Sequence, residues 1–138
     1  MLRKSARTAL IVAALATTPF VGHGSALAQA SQVLAFAKGN DNASAKGTII
    51  GDTYKDYLIT ARAGQKMGVS LITKSAYFNI MPPGSSGEAI YNSSVDGNDA
   101  TGVVLPRSGQ YRIRVYTMGA VSRTKRPVPF QVSVTVMN

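Results

Sequence analysis

The sequence predicts an all-β fold, an antiparallel β-sandwich of about eight short strands. Three observations lead there. Several short segments alternate apolar and polar side chains, as strands with one buried face do. Between them lie clusters of Gly, Pro, Asn, Asp and Ser, which reverse a chain because Pro fixes φ while Gly and Asn tolerate turn conformations. Beyond the first thirty positions no stretch carries a clear helical period. A set of short alternating strands, each with one polar face, suits two sheets packed on a shared core.

Positions 1–30 read as a secretory signal peptide. Arg3, Lys4 and Arg7 form a basic start, and Ala9 to Ala16 is an apolar run too short to span a bilayer. Two overlapping small-residue sites place cleavage after Ala28 or Ala30. No twin-arginine pair precedes the run and no Cys follows it, so the product is expected to be exported without a lipid anchor or a membrane span. A Gram-negative periplasm is the expected compartment. The remainder, 31–138, is expected to form one domain with a single core.

Within that domain the first strand is expected over Gln32 to Ala37, ended by the polar loop Lys38 to Asn42. Ala45 to Ile50 follows, then Gly51-Asp52-Thr53 and the strand Tyr54 to Ala61, with Tyr57, Ile59 and Ala61 on one side. Ala63-Gly64-Gln65 reads as a hairpin turn into Lys66 to Thr73, whose Met67, Val69 and Leu71 face inward. Phe78 and Ile80 mark the next strand, closed by Pro82 to Gly87. Two short strands, Glu88 to Asn92 and Thr101 to Leu105, flank the turn Asp96 to Asp99. The clearest strand comes next: after the turn Pro106-Arg107-Ser108-Gly109, Tyr111, Ile113 and Val115 fall on one face and Arg112, Arg114 and Tyr116 on the other. The last strand, Pro129 to Met137, points Phe130, Val132, Val134 and Val136 inward, and four such residues call for a central position.

Composition narrows the function. The chain has 15 basic and 6 acidic residues, a net of +9. Three of the basic residues lie in the signal peptide, so the exported part carries twelve against six, a net of +6. It has no Cys and no Trp, and its one His, His23, lies in the removed segment. Thiol nucleophiles, imidazole bases and Cys or His metal sites are thereby excluded from the exported part, and scattered acids give no paired carboxyls. The expectation is a protein that is not an enzyme, with no catalytic residues, no metal, no cofactor and no nucleic-acid partner.

Four runs carry a family resemblance: Phe36-Ala37-Lys38-Gly39, Asp56 to Gln65, Phe78 to Gly84, and Leu105 to Tyr116. Together they resemble the periplasmic lysozyme-inhibitor families, the inhibitors of invertebrate-type lysozyme first and the goose-type inhibitors next. The same order of motifs is similar, more loosely, to the pre-peptidase C-terminal β-sandwich domains. The resemblance implies the sandwich fold, a role in envelope defence, and a lysozyme as protein partner. It also implies that a Ser-Gly-x-Tyr loop, here Ser108, Gly109, Gln110 and Tyr111, enters the lysozyme groove, flanked by Arg107 and Arg112. The chemistry suits a groove lined by carboxyl groups, since Ser and Tyr hydroxyls donate to carboxylates and Arg presents a bidentate fork.

Two further readings stand beside that one. Tyr111 is in phase with Ile113 and Val115, so its ring is equally suited to a structural corner with the hydroxyl bonded to nearby backbone. The cations Arg112, Arg114, Arg123, Lys125 and Arg126 form either a solvated rim or a hold on an anionic envelope polymer. A non-catalytic module binding envelope polysaccharide through Arg112, Arg114, Tyr116 and the basic loop is the alternative function, and a homodimer stays open. Whether Ser108 and the Tyr111 hydroxyl protrude together at one tip of the sandwich separates these readings.

Overall fold

A computed structural model describes residues 30–138. The signal-peptide reading falls outside the described residues except at Ala30. Among the described residues nine strands and two short helices follow in the order β1 (Ala30–Val33), β2 (Asn42–Ile50), β3 (Tyr54–Ala61), β4 (Lys66–Thr73), β5 (Tyr77–Met81), β6 (Tyr91–Asn92), α1 (Ser93–Asp96), β7 (Asp99–Val104), β8 (Gly109–Tyr116), α2 (Gly119–Ser122) and β9 (Pro127–Met137). They form a five-stranded sheet, β1-β3-β8-β5-β6, and a four-stranded sheet, β2-β9-β4-β7. The expected all-β sandwich is therefore present.

The period-two pattern decides which side chains enter the core. Tyr111, Ile113 and Val115 of β8 are fully buried, and so are Val132 and Val134 of β9. Tyr57, Ile59, Met67, Phe78 and Ile80 complete the layer between the sheets. β9 pairs with β2 on one side and β4 on the other, the central position its four inward residues demand. Gly47 of β2 lets the sheets close: a Cβ there would lie 2.5 Å from the Phe130 ring and 2.9 Å from the Tyr57 hydroxyl.

Several local expectations change. Ala63-Gly64-Gln65 is not a hairpin turn, because β3 and β4 belong to different sheets. The turn crosses from one sheet to the other and is tied to the strand ahead of β8 instead: Gly64 N donates to Leu105 O and Leu105 N to Gln65 O, each at 2.8 Å. The first strand starts and ends earlier than expected and pairs with β3 in parallel, the only parallel pair among the described strands. After Val33 the chain turns inward and buries Leu34. Glu88 to Asn92 shrinks to the two residues of β6, and its last residue, Asn92, caps α1, its Oδ1 accepting from Ser94 N at 3.0 Å. Helix α1 then buries Ser93, whose Oγ accepts from Phe78 N at 2.7 Å. Asp56 lies on the outer face of β3 yet is buried, because two arginines cover it.

Candidate functional site

The turn Pro106 to Ser108, at the start of β8, stands at one end of the sandwich and is built by its neighbours. The Tyr111 ring is fully buried under it, and the hydroxyl donates to Arg107 O and accepts from Arg107 N at 3.1 Å. Ser108 is exposed, and its Oγ accepts from Ala63 N at 2.9 Å, which leaves the hydroxyl proton for another acceptor. Gly109 sits at φ 144°, and a Cβ there would lie 2.9 Å from the Pro83 ring. Only glycine meets both conditions without strain. Three turns, at 62–65, 82–85 and 106–109, are thus locked together at this end.

The predicted site residues therefore divide. Arg107, Ser108 and Gln110 are exposed at the tip, and Gly109 shapes it. Gln110 and Arg112 border a small polar hollow of about 110 Å³ beside Pro82 and Ser85. Tyr111 does not protrude with Ser108: its ring is in the core and its hydroxyl is engaged by the Arg107 backbone. This is the corner geometry that the inward phase of Tyr111 allowed.

The strand then presents a second surface. Strand register across the five-stranded sheet aligns its outward side chains in rows. Tyr54, Tyr116 and Tyr77 form one row across β3, β8 and β5, and Asp56, Arg114 and Asn79 the next. Leu58, Arg112 and Met81 form the row nearest the tip. Arg114 is fixed twice over. Its Nε and Nη2 donate to the Asp56 carboxylate at 2.8 and 3.0 Å, and its guanidinium lies 3.7 Å from the centre of the Tyr54 ring. The hydrogen bond to Asp56 raises the Arg114 pKa against the opposing effect of burial. Arg112 is looser, with Nε 3.5 Å from Asp56 Oδ2 and its side chain 47% exposed.

The basic loop does not join these groups. It follows β8 at the opposite end of the sandwich, where Arg123, Lys125 and Arg126 are exposed. Lys125 and Lys55 border a cleft of about 420 Å³ lined by Ile49, Ile50 and Tyr54. Eight strand residues at roughly 3.3 Å each separate the two ends by about 26 Å. Sequence reasoning missed Tyr54, Tyr77, Asn79 and Asn92 as members of one surface. Each occupies an outward or capping position, but only register joins them to β8.

Known proteins share this architecture. No protein-family model matches the chain. The chain is 28% identical over 136 residues to the inhibitor of g-type lysozyme from Escherichia coli K12, spanning 96% of this chain and 97% of that protein. Crystal structures of periplasmic inhibitors of g-type lysozyme superpose on it. The Aeromonas hydrophila protein has a TM-score of 0.73 at 35% identity, covering 78% of this chain and 96% of that one. The Salmonella Typhimurium protein has a TM-score of 0.63 at 31% identity, covering 78% of this chain and 97% of that one. A pre-peptidase C-terminal domain from a Bacillus anthracis collagenase, at 15% identity and a TM-score of 0.55, covers 77% of this chain and 93% of its own and shares the fold alone. These relatives are named for the goose (g) type, which the motif resemblance placed second. The shared sandwich and the 35% identity over nearly all of a solved inhibitor place the chain in the family of periplasmic inhibitors of g-type lysozyme.

Proposed function

We propose that this protein is exported to the periplasm and inhibits a g-type lysozyme, with no catalytic role of its own. The single observation carrying this reading is the match to nearly the whole length of a solved inhibitor of that enzyme. Arg107, Ser108 and Gln110 are the contacting residues at the tip, Arg112 flanks them, and Gly109 and Tyr111 hold their shape. Locking the three turns together before binding lowers the ordering cost of association, which suits a plug. The free Ser108 proton and the Arg107 guanidinium supply charge-assisted hydrogen bonds to groove carboxylates. Removal of residues 1–28 fits the fold better than removal of 1–30, because Ala30 is already paired with Lys55 in β1.

The test begins with protein purified from the periplasmic fraction, whose intact mass should place the N-terminus at Gln29. Inhibition of cell-wall lysis is then measured with goose-, invertebrate- and chicken-type lysozymes, and the goose type should respond at the lowest concentration. Ser108→Ala should weaken inhibition by roughly ten- to a hundredfold, the loss of one hydrogen bond to a charged group. Arg107→Glu should weaken it at least as much. No inhibition of the goose type at micromolar protein would defeat the functional reading. Loss through Lys125→Glu with no loss through Arg107→Glu would keep the function and move the contact to the opposite end.

A further inference from the structure

We infer that the outer face of the five-stranded sheet is a second binding site, a platform for a polysaccharide strand of the acidic hexosamine class. Its tyrosine row lies apart from the tip and does not depend on the inhibitor reading.

Three features of this face point to a sugar polymer. Tyr54, Tyr116 and Tyr77 stand side by side on adjacent strands, so the row spans about 10 Å, close to the length of a disaccharide. All three are half-buried; Tyr54 carries the Arg114 guanidinium on one face of its ring, and Tyr116 and Tyr77 are the rings offered to the apolar face of a sugar. Tyr116 is laid down over the sheet, since its hydroxyl reaches Asn79 Oδ1 on β5 at 3.1 Å and Asn92 Oδ1 on β6 at 3.4 Å. Its ring meets Tyr77 at a centroid distance of 6.2 Å.

The polar groups beside the rings complete the match. The single Tyr116 hydroxyl proton is shared toward Asn79 Oδ1 at 3.1 Å and Asn92 Oδ1 at 3.4 Å, and Asn92 Oδ1 also accepts from Ser94 N and Ser94 Oγ. With both carbonyl oxygens engaged, the two amide N–H₂ groups remain as donors for another acceptor. Sugar hydroxyls and N-acetyl carbonyls are such acceptors. Arg112 and Arg114 outnumber Asp56 on this face, so its charge favours a strand bearing carboxylates over a neutral glucan. Arg114 is held in place by Asp56 and Tyr54, and Arg112, about half exposed and held to Asp56 only at 3.5 Å, adds its positive charge between the tyrosine row and the tip. The tyrosine row lies near the far end of β8, about 26 Å from Ser108 at roughly 3.3 Å per residue. A glycan on the row would leave the tip open, which would keep an inhibitor close to the polymer its target enzyme attacks.

The experiment uses the full exported protein and insoluble peptidoglycan sacculi, with cellulose as the neutral comparison. The protein should sediment with sacculi and not with cellulose. Tyr77→Ala and Tyr116→Ala should each weaken sedimentation about tenfold, whereas Tyr116→Phe, which keeps the ring, should retain most of it. All three should still inhibit lysozyme as the unsubstituted protein does. Because the chain has no Trp, its tyrosine emission should also change on titration with soluble glycan strands. Thermal melts identify any variant that has lost its fold, and Tyr77→Ala serves where Tyr116→Ala does so. Absence of sedimentation by the unsubstituted protein, equal retention on cellulose, or folded alanine variants that bind undiminished would each overturn the proposal. Variants that lose lysozyme inhibition while the unsubstituted protein ignores sacculi would assign the row to the enzyme interface instead.

Discussion

Tyr111→Phe separates a structural tyrosine from a contacting one. The substitution keeps the buried ring and removes only the hydroxyl, which bonds both the N–H and the carbonyl of Arg107. Each such bond contributes about 0.5–1.5 kcal/mol net. Arg107 is exposed, so water can reach its freed backbone groups and the loss should sit in the lower part of that range for each bond. The expected cost is about 1–2 kcal/mol, or roughly 4–10 °C in Tm for a domain of this size. Urea denaturation gives the free energy, and the lytic assay run below the transition gives inhibition separately. Inhibition should weaken only modestly, because the tip loses its anchor and not a contact. An unchanged urea midpoint together with a tenfold or greater loss of inhibition would refute this, since the hydroxyl would then have to leave Arg107 and meet the enzyme.

Two further outcomes follow from the core. Val132→Ala and Val134→Ala should each cost on the order of 1–3 kcal/mol, because both are fully buried on the central strand of the four-stranded sheet; a midpoint shift within error would mean that the inward face of β9 is wrongly assigned. The Tyr57 hydroxyl is buried with no hydrogen-bond partner among the described residues, so Tyr57→Phe should stabilise the protein by about 1 kcal/mol. Burial pushes its pKa from 10.0 up to about 12. The unfolded chain therefore loses this proton first, and stability should fall as pH rises through that interval and be regained by Tyr57→Phe. Equal alkaline stability of the two proteins would count against the burial of this hydroxyl.

The sequence by itself determined the fold class and the inward side chains of the long alternating strands, because alternation is a local property; Leu34, Ile49, Ala100 and Leu105, buried at strand ends and in connections, carried no such pattern. Once Tyr111, Ile113 and Val115 share a face, any sheet that buries one buries all three. It also carried the resemblance to the lysozyme-inhibitor families, with the goose type second, and the turn at 106–109 holds a glycine that its geometry requires. What it could not decide was which strands are neighbours. Ala63-Gly64-Gln65 has the composition of a hairpin turn, but whether such a turn joins paired strands or crosses between sheets depends on partners far along the chain, here Leu105. The role of Tyr111 was undecided for the same reason, because its phase allowed either a packed corner or an outward hydroxyl, and only the closing of the Arg107 backbone over it chose the corner. The row Tyr54, Tyr116 and Tyr77 comes from three strands separated by long stretches of sequence. No local pattern links them, and they become one surface only when β8 pairs with β3 and β5 in the register that the buried faces on the opposite side impose.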